Sequence, residues 1–501
     1  MTGASPHLGR ETAAGALWVS GAGFVTQALT LVSGVLVARH LPVEDYGTAA
    51  MAMVVVSLGT VFLSFGLAPA IISGRLSDPS AIRSSHGFLV LVGLALTGLV
   101  VAGSAPAARF FDNEAVSGLL AVASLILLLG SWEVVPLAVI QANRRFDRLA
   151  FVNVASQTVQ SLSAIAMAVL GADVWALVLP WLIGGGLRAA AATALAPGFL
   201  RPRLVFSEVR PHLRELLHVS ATSLADYLFF NADKVILGRL HGELPLGRYN
   251  FANSLVARSL FAFSRALGAP LLASLGALRD DLERFDRATV RAGLAVARLT
   301  FPICVGGALL APELVHALVG SRWDVAVDLV RIFFVLGALQ SVGQLSGPVW
   351  LAMGKFRLAF LWSLATNTAL VGVFLAGAIA GSSEGVALAF AAYSWFLAGP
   401  ACVWVTRRVC GVPLRGLGMG LLRVARDVLG MAIVLLLAGL AGSSLGLPAW
   451  ALLALEVPLG AVTYGLLFRL NSAGELSSLL ATLPAPARRL GYSLFRLSPA
   501  V

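Results

Sequence analysis

The sequence predicts an all-α, polytopic membrane protein of about fourteen transmembrane helices, built as two parallel six-helix repeats plus two additional C-terminal helices. Three observations predict it: an apolar composition unlike that of a soluble chain, a one-sided distribution of arginine between the apolar runs, and an internal repeat offset by about 200 residues. Of 501 residues, 58% are apolar and 12% charged, with a mean hydropathy of +0.87. A soluble domain carries about 25% charged residues to cover its surface, so the apolar excess must face lipid. The 51 glycines agree, because small residues let membrane helices approach closely.

The apolar runs lie at about 12–38, 45–72, 86–105, 115–140, 149–170, 174–196, 213–238, 246–275, 289–311, 325–353, 358–380, 385–406, 423–442 and 448–469. Each spans a hydrocarbon slab of roughly 30 Å at about 1.5 Å per residue. Pro136, Pro180, Pro302, Pro348, Pro400 and Pro458 fall inside runs, which membrane helices tolerate when neighbours re-satisfy the freed carbonyls. Strand-period alternation, the mark of a membrane barrel, is missing. The first run is too long for a cleavable signal and lacks a cleavage site.

With the N-terminus in the cytoplasm, the segments expected inside hold twenty-five Lys and Arg. Those expected outside hold five: Arg39, Arg109, Arg239, Arg248 and Arg322. This bias predicts a multi-pass protein of the cell (inner) membrane with both termini cytoplasmic. It also explains the net charge of +11 as topology, so nucleic acid is not an expected partner. Cys304, Cys402 and Cys410 form no disulfide or metal pattern, and the seven histidines are scattered.

The halves of the chain resemble each other. Val35-Leu36-Val37-Ala38-Arg39, Tyr46-Gly47 and Gly66-Leu67-Ala68-Pro69 return as Val235-Ile236-Leu237-Gly238-Arg239, Tyr249 and Leu267-Gly268-Ala269-Pro270. Arg148-Leu149-Ala150-Phe151 returns as Arg357-Leu358-Ala359-Phe360, each copy shortly after a phenylalanine, Phe146 or Phe356. An even number of helices separates the copies, so both halves enter the membrane in the same direction, an arrangement that places a cavity between them. The expected domains are a six-helix lobe over 1–200, a second over 201–410, two further helices over 411–470, and a basic cytoplasmic tail over 471–501 that either lies on the inner leaflet or stays unstructured.

A charged group inside a span costs roughly 3 kcal/mol or more, so each is a functional candidate. Six cations fall within spans: Arg188, Lys234, Arg258, Arg265, Arg298 and Arg331. Asp226 and Asp233 share one face of the seventh helix, and Arg258 and Arg265 one face of the eighth. Asp226 and Arg258 lie at similar depth, where they either pair between helices or serve a substrate. Arg265 and Arg298 share a deeper level with no evident acid. Together, Arg258, Arg265 and Arg298 are the expected cationic lining for an anion such as a phosphate or acidic sugar. Asp233, Lys234 and Glu133 are candidates for pairing or coupling, and Lys234 and Arg331 alternatively snorkel to the surface. The first half otherwise offers Gln27, Asn153, Gln157 and Gln160; the last two, about one turn apart, suit either sugar hydroxyls or helix-to-helix hydrogen bonds. Residues 279–287 read as a solvated helix.

These residues resemble a known family. The apolar helix ending Val37-Ala38-Arg39, the Glu44-Asp45-Tyr46-Gly47 turn, and Asn231-Ala232-Asp233-Lys234-Val235-Ile236-Leu237-Gly238 followed by Leu246-Gly247-Arg248-Tyr249 are similar to Wzx-type polysaccharide transporters of the multidrug/oligosaccharidyl-lipid/polysaccharide (MOP) superfamily. The resemblance covers most of residues 12–410. It implies alternating-access transfer of undecaprenyl-pyrophosphate-linked oligosaccharide to the outer leaflet, for lipopolysaccharide, capsule or exopolysaccharide. Its implied partners are that lipid-linked substrate, the bilayer, and the polymerase and glycosyltransferases of the same pathway. No cofactor or metal is implied. The rival readings are a peptidoglycan-precursor flippase, a drug or cation antiporter of the same superfamily, and a polytopic glycan polymerase or ligase. An antiporter calls for carboxylates in the cavity, and the first six helices offer little beyond Glu133. An enzyme calls for an acid/base or nucleophile constellation, which the sequence does not show, so the chain is expected not to be one.

Overall fold

The computed structural model describes residues 6–64, 67–196 and 202–481. All regular elements among them are helical. In chain order they are α1 (Pro6–His40), α2 (Val43–Ser64), α3 (Leu67–Ile72), α4 (Pro79–Ala102), α5 (Ser104–Phe111), α6 (Ala115–Ala123), α7 (Leu125–Ala142), α8 (Phe146–Val169), α9 (Trp175–Leu195) and α10 (Phe206–His241). They continue as α11 (Glu243–Ala277), α12 (Leu282–Leu309), α13 (Ala311–Val319), α14 (Val327–Gly343), α15 (Ser346–Ala352), α16 (Phe356–Ala380), α17 (Ser383–Ala392), α18 (Gly399–Arg408), α19 (Leu417–Ser444) and α20 (Ala449–Ala481).

Eleven spans among the described residues are long and apolar enough to cross a membrane, several joining consecutive helices, as Val43–Ile72 joins α2 and α3. The eleven are counted among the described residues only, and α10 and α11 are described in part. Of the long helices whose residues are all described, α8 falls short of that apolarity. Length is not the reason, since it runs to 24 residues. It carries Asn153, Gln157 and Gln160, which the sequence singled out, while Asp226, Asp233 and Lys234 fall on α10 and Arg248, Arg258 and Arg265 on α11. Elsewhere large apolar side chains stand open, such as Phe396 at 84% and Ile379 at 76% exposure. Lipid, not water, is the solvent that suits them.

The chain forms two compact units, Met1–Asn250 and Phe251–Val501. The division falls beyond the repeat boundary near residue 200, because α10 packs against α2 and α4 of the first unit. Glu208 near its start accepts hydrogen bonds from the Ser80 and Ser84 hydroxyls of α4, at 3.0 and 2.6 Å. Farther along α10, the Tyr227 hydroxyl donates to the Val54 carbonyl of α2. At the far end Glu243 accepts from Thr48 (3.2 Å) and from the Asn113 amide. Two glycines make this junction: a Cβ on Gly47 would run into the Glu243 backbone, and one on Gly247 into the Val43 carbonyl.

The repeat is visible in the backbone as well as in the letters. The turn before α8 has Arg144 at φ +56° and closes with Arg145 N–H donating to the Ile140 carbonyl at 3.1 Å. The turn before α16 has Gly354 at φ +70° and closes with Lys355 N–H donating to the Trp350 carbonyl at 2.9 Å. Asp112 ends α5 at φ +54° and Gly320 ends α13 at φ +93°. Left-handed residues are costly outside glycine, so the Arg144 and Gly354 turns reflect one helix-ending geometry used twice, whereas Asp112 is left-handed helical and Gly320, at ψ +171°, is not.

In the second unit α12 packs against α14 and α19, and α19 against α20. Thr300 and Ser341 share a buried hydrogen bond of 2.7 Å between α12 and α14. The charged stretch 279–287 is not a separate solvated helix. It is a turn followed by the start of α12, where Asp281 caps the Arg284 N–H at 3.0 Å. Asp286 within it is buried and accepts from the backbone N–H groups of Leu414 (2.6 Å) and Arg415 (3.2 Å), which anchors the approach to α19.

Candidate functional site

Five helices of the first unit, α1, α2, α7, α8 and α9, line a cavity of about 580 Å³. Its apolar wall includes Leu63, Ile126, Leu129 and Val134, and its polar groups include Thr26, Thr60, Asn153, Ser156, Gln157 and Gln160. Trp181 also lines it and is 45% exposed. Among the described residues the lining holds one acid and one base, and they pair: Arg188 Nη1 lies 3.2 Å from Glu133 Oε1. The Glu133 side chain is largely buried and that of Arg188 is more open. A low-dielectric wall strengthens their attraction and leaves the site with no net charge.

Local sequence sets each of these groups. Gln157 and Gln160 fall on one side of α8, three residues apart. Gln157 Nε2 donates to the Ser161 hydroxyl at 3.2 Å, and that hydroxyl donates to the Leu29 carbonyl of α1 at 3.4 Å. Gln160 lies against Gly184 of α9, where an added Cβ would stand 2.7 Å from the Gln160 Cβ. Glycine there is what gives the amide its room. Two buried donors of the lining, Arg188 Nε and the Ser156 hydroxyl, have no hydrogen-bond partner among the described residues. Both atoms lie within the wall, while Thr60, Asn153, Gln157 and Gln160 of the lining offer amide and hydroxyl partners to a ligand rich in hydroxyls, and the exposed indole of Trp181 offers a flat surface.

Other candidates from the sequence lie elsewhere. Asp233 is buried on α10, where it accepts from the Tyr249 hydroxyl of α11 at 2.9 Å and from the Lys234 backbone N–H at 2.8 Å. The Lys234 ammonium donates to the Asn231 side-chain oxygen at 2.8 Å. These groups hold the α10–α11 corner together. Arg298 belongs to the second unit and is 9% exposed, its guanidinium 5.1 Å from the centre of the Phe468 ring. Asp427 of α19 acts on it electrostatically, so a carboxylate does lie near the level where the sequence showed none. The side chains of Asp226, Arg258 and Arg265 lie outside the described residues. Arg331 pairs with Asp328 one turn away at 3.2 Å.

The sequence named Glu133, Gln157 and Gln160 and missed the role of Arg188. A depth count would have found it. Glu133 lies nine residues before the end of α7 and Arg188 seven before the end of α9, and both ends are expected to be cytoplasmic. That is the same level to within about 3 Å.

Comparison with known proteins places this bundle. A family model described as polysaccharide biosynthesis protein matches residues 36–328, from the end of α1 to the start of α14. The chain belongs to that family. Among its relatives, the lipopolysaccharide biosynthesis protein WzxC of Escherichia coli is 22% identical over 76% of this chain and 78% of its own. The succinoglycan biosynthesis transport protein ExoT of Rhizobium meliloti is 23% identical over 71% of this chain and 72% of its own. Among solved structures, the lipid II flippase MurJ superposes with a TM-score of 0.71 at 14% identity, covering 90% of this chain and 98% of the other. An inward-facing multidrug resistance MATE transporter of the MOP superfamily superposes at 0.63 and 14% identity, covering 77% and 95%. This polysaccharide biosynthesis protein thus has the MOP transporter fold as a multi-pass membrane protein.

Proposed function

We propose that the chain is a transporter that carries lipid-linked oligosaccharide, built on undecaprenyl pyrophosphate, across the cytoplasmic membrane, and that the first-unit cavity holds part of its glycan. The observation that carries this reading is the lining of that cavity. Amides, hydroxyls and an exposed indole surround a charge-balanced ion pair inside a lipid-exposed helical bundle. Sugars present many hydroxyls and little charge, which this lining matches. Membership of the polysaccharide biosynthesis family supports the same substrate class. So do relatives named for lipopolysaccharide and succinoglycan biosynthesis.

The pyrophosphate needs a different surface. Arg258 and Arg265 on α11 remain the proposed contacts, since the arginine fork binds two phosphate oxygens at once. The structure gives Arg298 a different surrounding, over the Phe468 ring and attracted by Asp427, so its part in that contact is indirect. The antiporter reading gains nothing from Glu133, because Arg188 already neutralises it. The arginine bias supports cytoplasmic termini and an inner-membrane location. Polymerase and glycosyltransferases of the pathway are the proposed partners, and the chain itself performs no bond chemistry.

The test uses cells lacking the gene and complemented with Gln157→Leu/Gln160→Leu. The expected result is loss of most surface polysaccharide and build-up of lipid-linked glycan in the membrane, with normal protein levels. Normal polysaccharide at native expression would overturn the glycan-binding role of the cavity.

A further inference from the structure

Outside the repeat, α19 and α20 carry a polar cluster that the cavity does not use. Asp427 on α19 is 3% exposed, and its Oδ1 accepts from Arg426 Nε and Nη2 at 3.1 and 3.0 Å and from Asn471 Nδ2 of α20 at 2.7 Å. Arg298 of α12 comes to the same place. Its backbone carbonyl accepts from the Tyr464 hydroxyl at 2.9 Å, and its guanidinium lies over Phe468. Arg423 and Asp427 are both near enough to act on Arg298, the first by repulsion and the second by attraction.

The depth of this cluster follows from helix lengths. α19 has 28 residues, about 42 Å, against a hydrocarbon core of roughly 30 Å. The connection from α19 to α20, residues 445–448, is short, so most of the excess, about eight residues, projects at the Leu417 end. That puts Arg423, Arg426 and Asp427 at the expected cytoplasmic edge of the hydrocarbon, where lipid phosphates lie. The Asn471–Asp427 bond holds α20 at that depth. Side chains lean toward the start of their own helix, which turns Arg298 toward the same edge.

Two features of α19 then converge. Among these described residues three arginines accompany one carboxylate, so the cluster has an excess of positive charge. Arg426 also heads a stripe of Leu429, Ile433, Leu436 and Leu440, all more than half exposed and spaced along one side of the helix. A cationic head over an apolar stripe matches a phosphate on an acyl or isoprenoid chain.

We infer that the Arg423–Arg426 end of α19 binds the phosphate of an anionic membrane lipid, whose chain runs along the Leu429–Leu440 stripe. The site does not depend on the transport reading. Full-length protein in nanodiscs of phosphatidylcholine with a minor fraction of phosphatidylglycerol, examined by native mass spectrometry, tests it. The wild type should retain phosphatidylglycerol in preference to phosphatidylcholine. Arg423→Gln/Arg426→Gln should weaken that retention roughly thirtyfold, whereas Arg407→Gln/Arg408→Gln, which removes the same charge from exposed positions at the end of α18, should leave it intact. Displacement of phosphatidylglycerol by added undecaprenyl phosphate would support the site and assign it to the lipid carrier. Resistance to displacement would support the site and assign it to a glycerophospholipid. Equal retention of the two phospholipids by the wild type, or equal losses in the two double variants, would overturn the inference.

Discussion

The first-unit cavity and the α12–α19–α20 cluster both bring arginine into a membrane bundle, with different outcomes. In the cavity, Arg188 meets a single carboxylate, Glu133, and the remaining polar groups are neutral. In the cluster, Arg298 and Arg426 share Asp427, Arg423 repels Arg298, and an aromatic ring lies under one of them. The difference teaches that an intramembrane arginine is not by itself a substrate contact. Its role depends on whether the local charges cancel. Where they cancel, the site is left with hydroxyl and amide chemistry suited to sugars. Where cations exceed acids, the site calls for a phosphate.

Substitutions in both regions can break that contrast. The largest stability loss is expected in the cluster. Phe468→Ala removes a 7%-exposed ring from beneath Arg298 and should cost about 3 kcal/mol, read from thermal unfolding in detergent; an unchanged midpoint would mean that the ring does not support the cluster. Arg188→Ala comes next. It strands Glu133 and should cost about 2 kcal/mol, less than for a fully buried pair because Arg188 is partly open. Adding Glu133→Gln should recover stability without recovering glycan export, and recovery of both would reduce the pair to a helix staple.

A smaller effect is expected from Gln160→Leu, which removes about 1 kcal/mol of hydrogen bonding and should raise the glycan-lipid concentration needed for half-maximal transport about fivefold. No change in proteoliposome flux would separate Gln160 from the substrate. The smallest lies in neither region: Asp281→Ala deletes the α12 cap and should lower stability by about 1 kcal/mol or less while leaving transport untouched. That variant sets the scale of a purely structural loss.

Much of the fold was legible because the repeat and the arginine bias are long-range patterns that survive local irregularity. The turns at Arg144 and Gly354 show this well, since one left-handed geometry is kept with different residues. The span count was less legible. Hydropathy cannot distinguish a polar membrane helix from a poor one, and α8 is polar because of what it carries. For the site, Glu133, Gln157 and Gln160 were readable as costly groups within apolar runs, and the structure brings them into one cavity. Arg188 was readable only by comparing depths on two helices distant in sequence. Trp181 and Ser156 gave no signal, because an aromatic or a serine in a membrane helix is ordinary until its neighbours are known. The surroundings of Arg298 come from α19 and α20, beyond the repeat, where depth matching within the second six helices did not reach.

The central claim is that the neutral first-unit cavity holds glycan. Photo-crosslinking tests it most directly, with benzoylphenylalanine placed at Gln157 in the cavity or at Phe396 on the lipid-exposed surface, in membranes carrying radiolabelled lipid-linked oligosaccharide. The account predicts label attached through the sugar from position 157 and none from position 396. Absence of label at 157, or label there attached only through the isoprenoid chain, would contradict it.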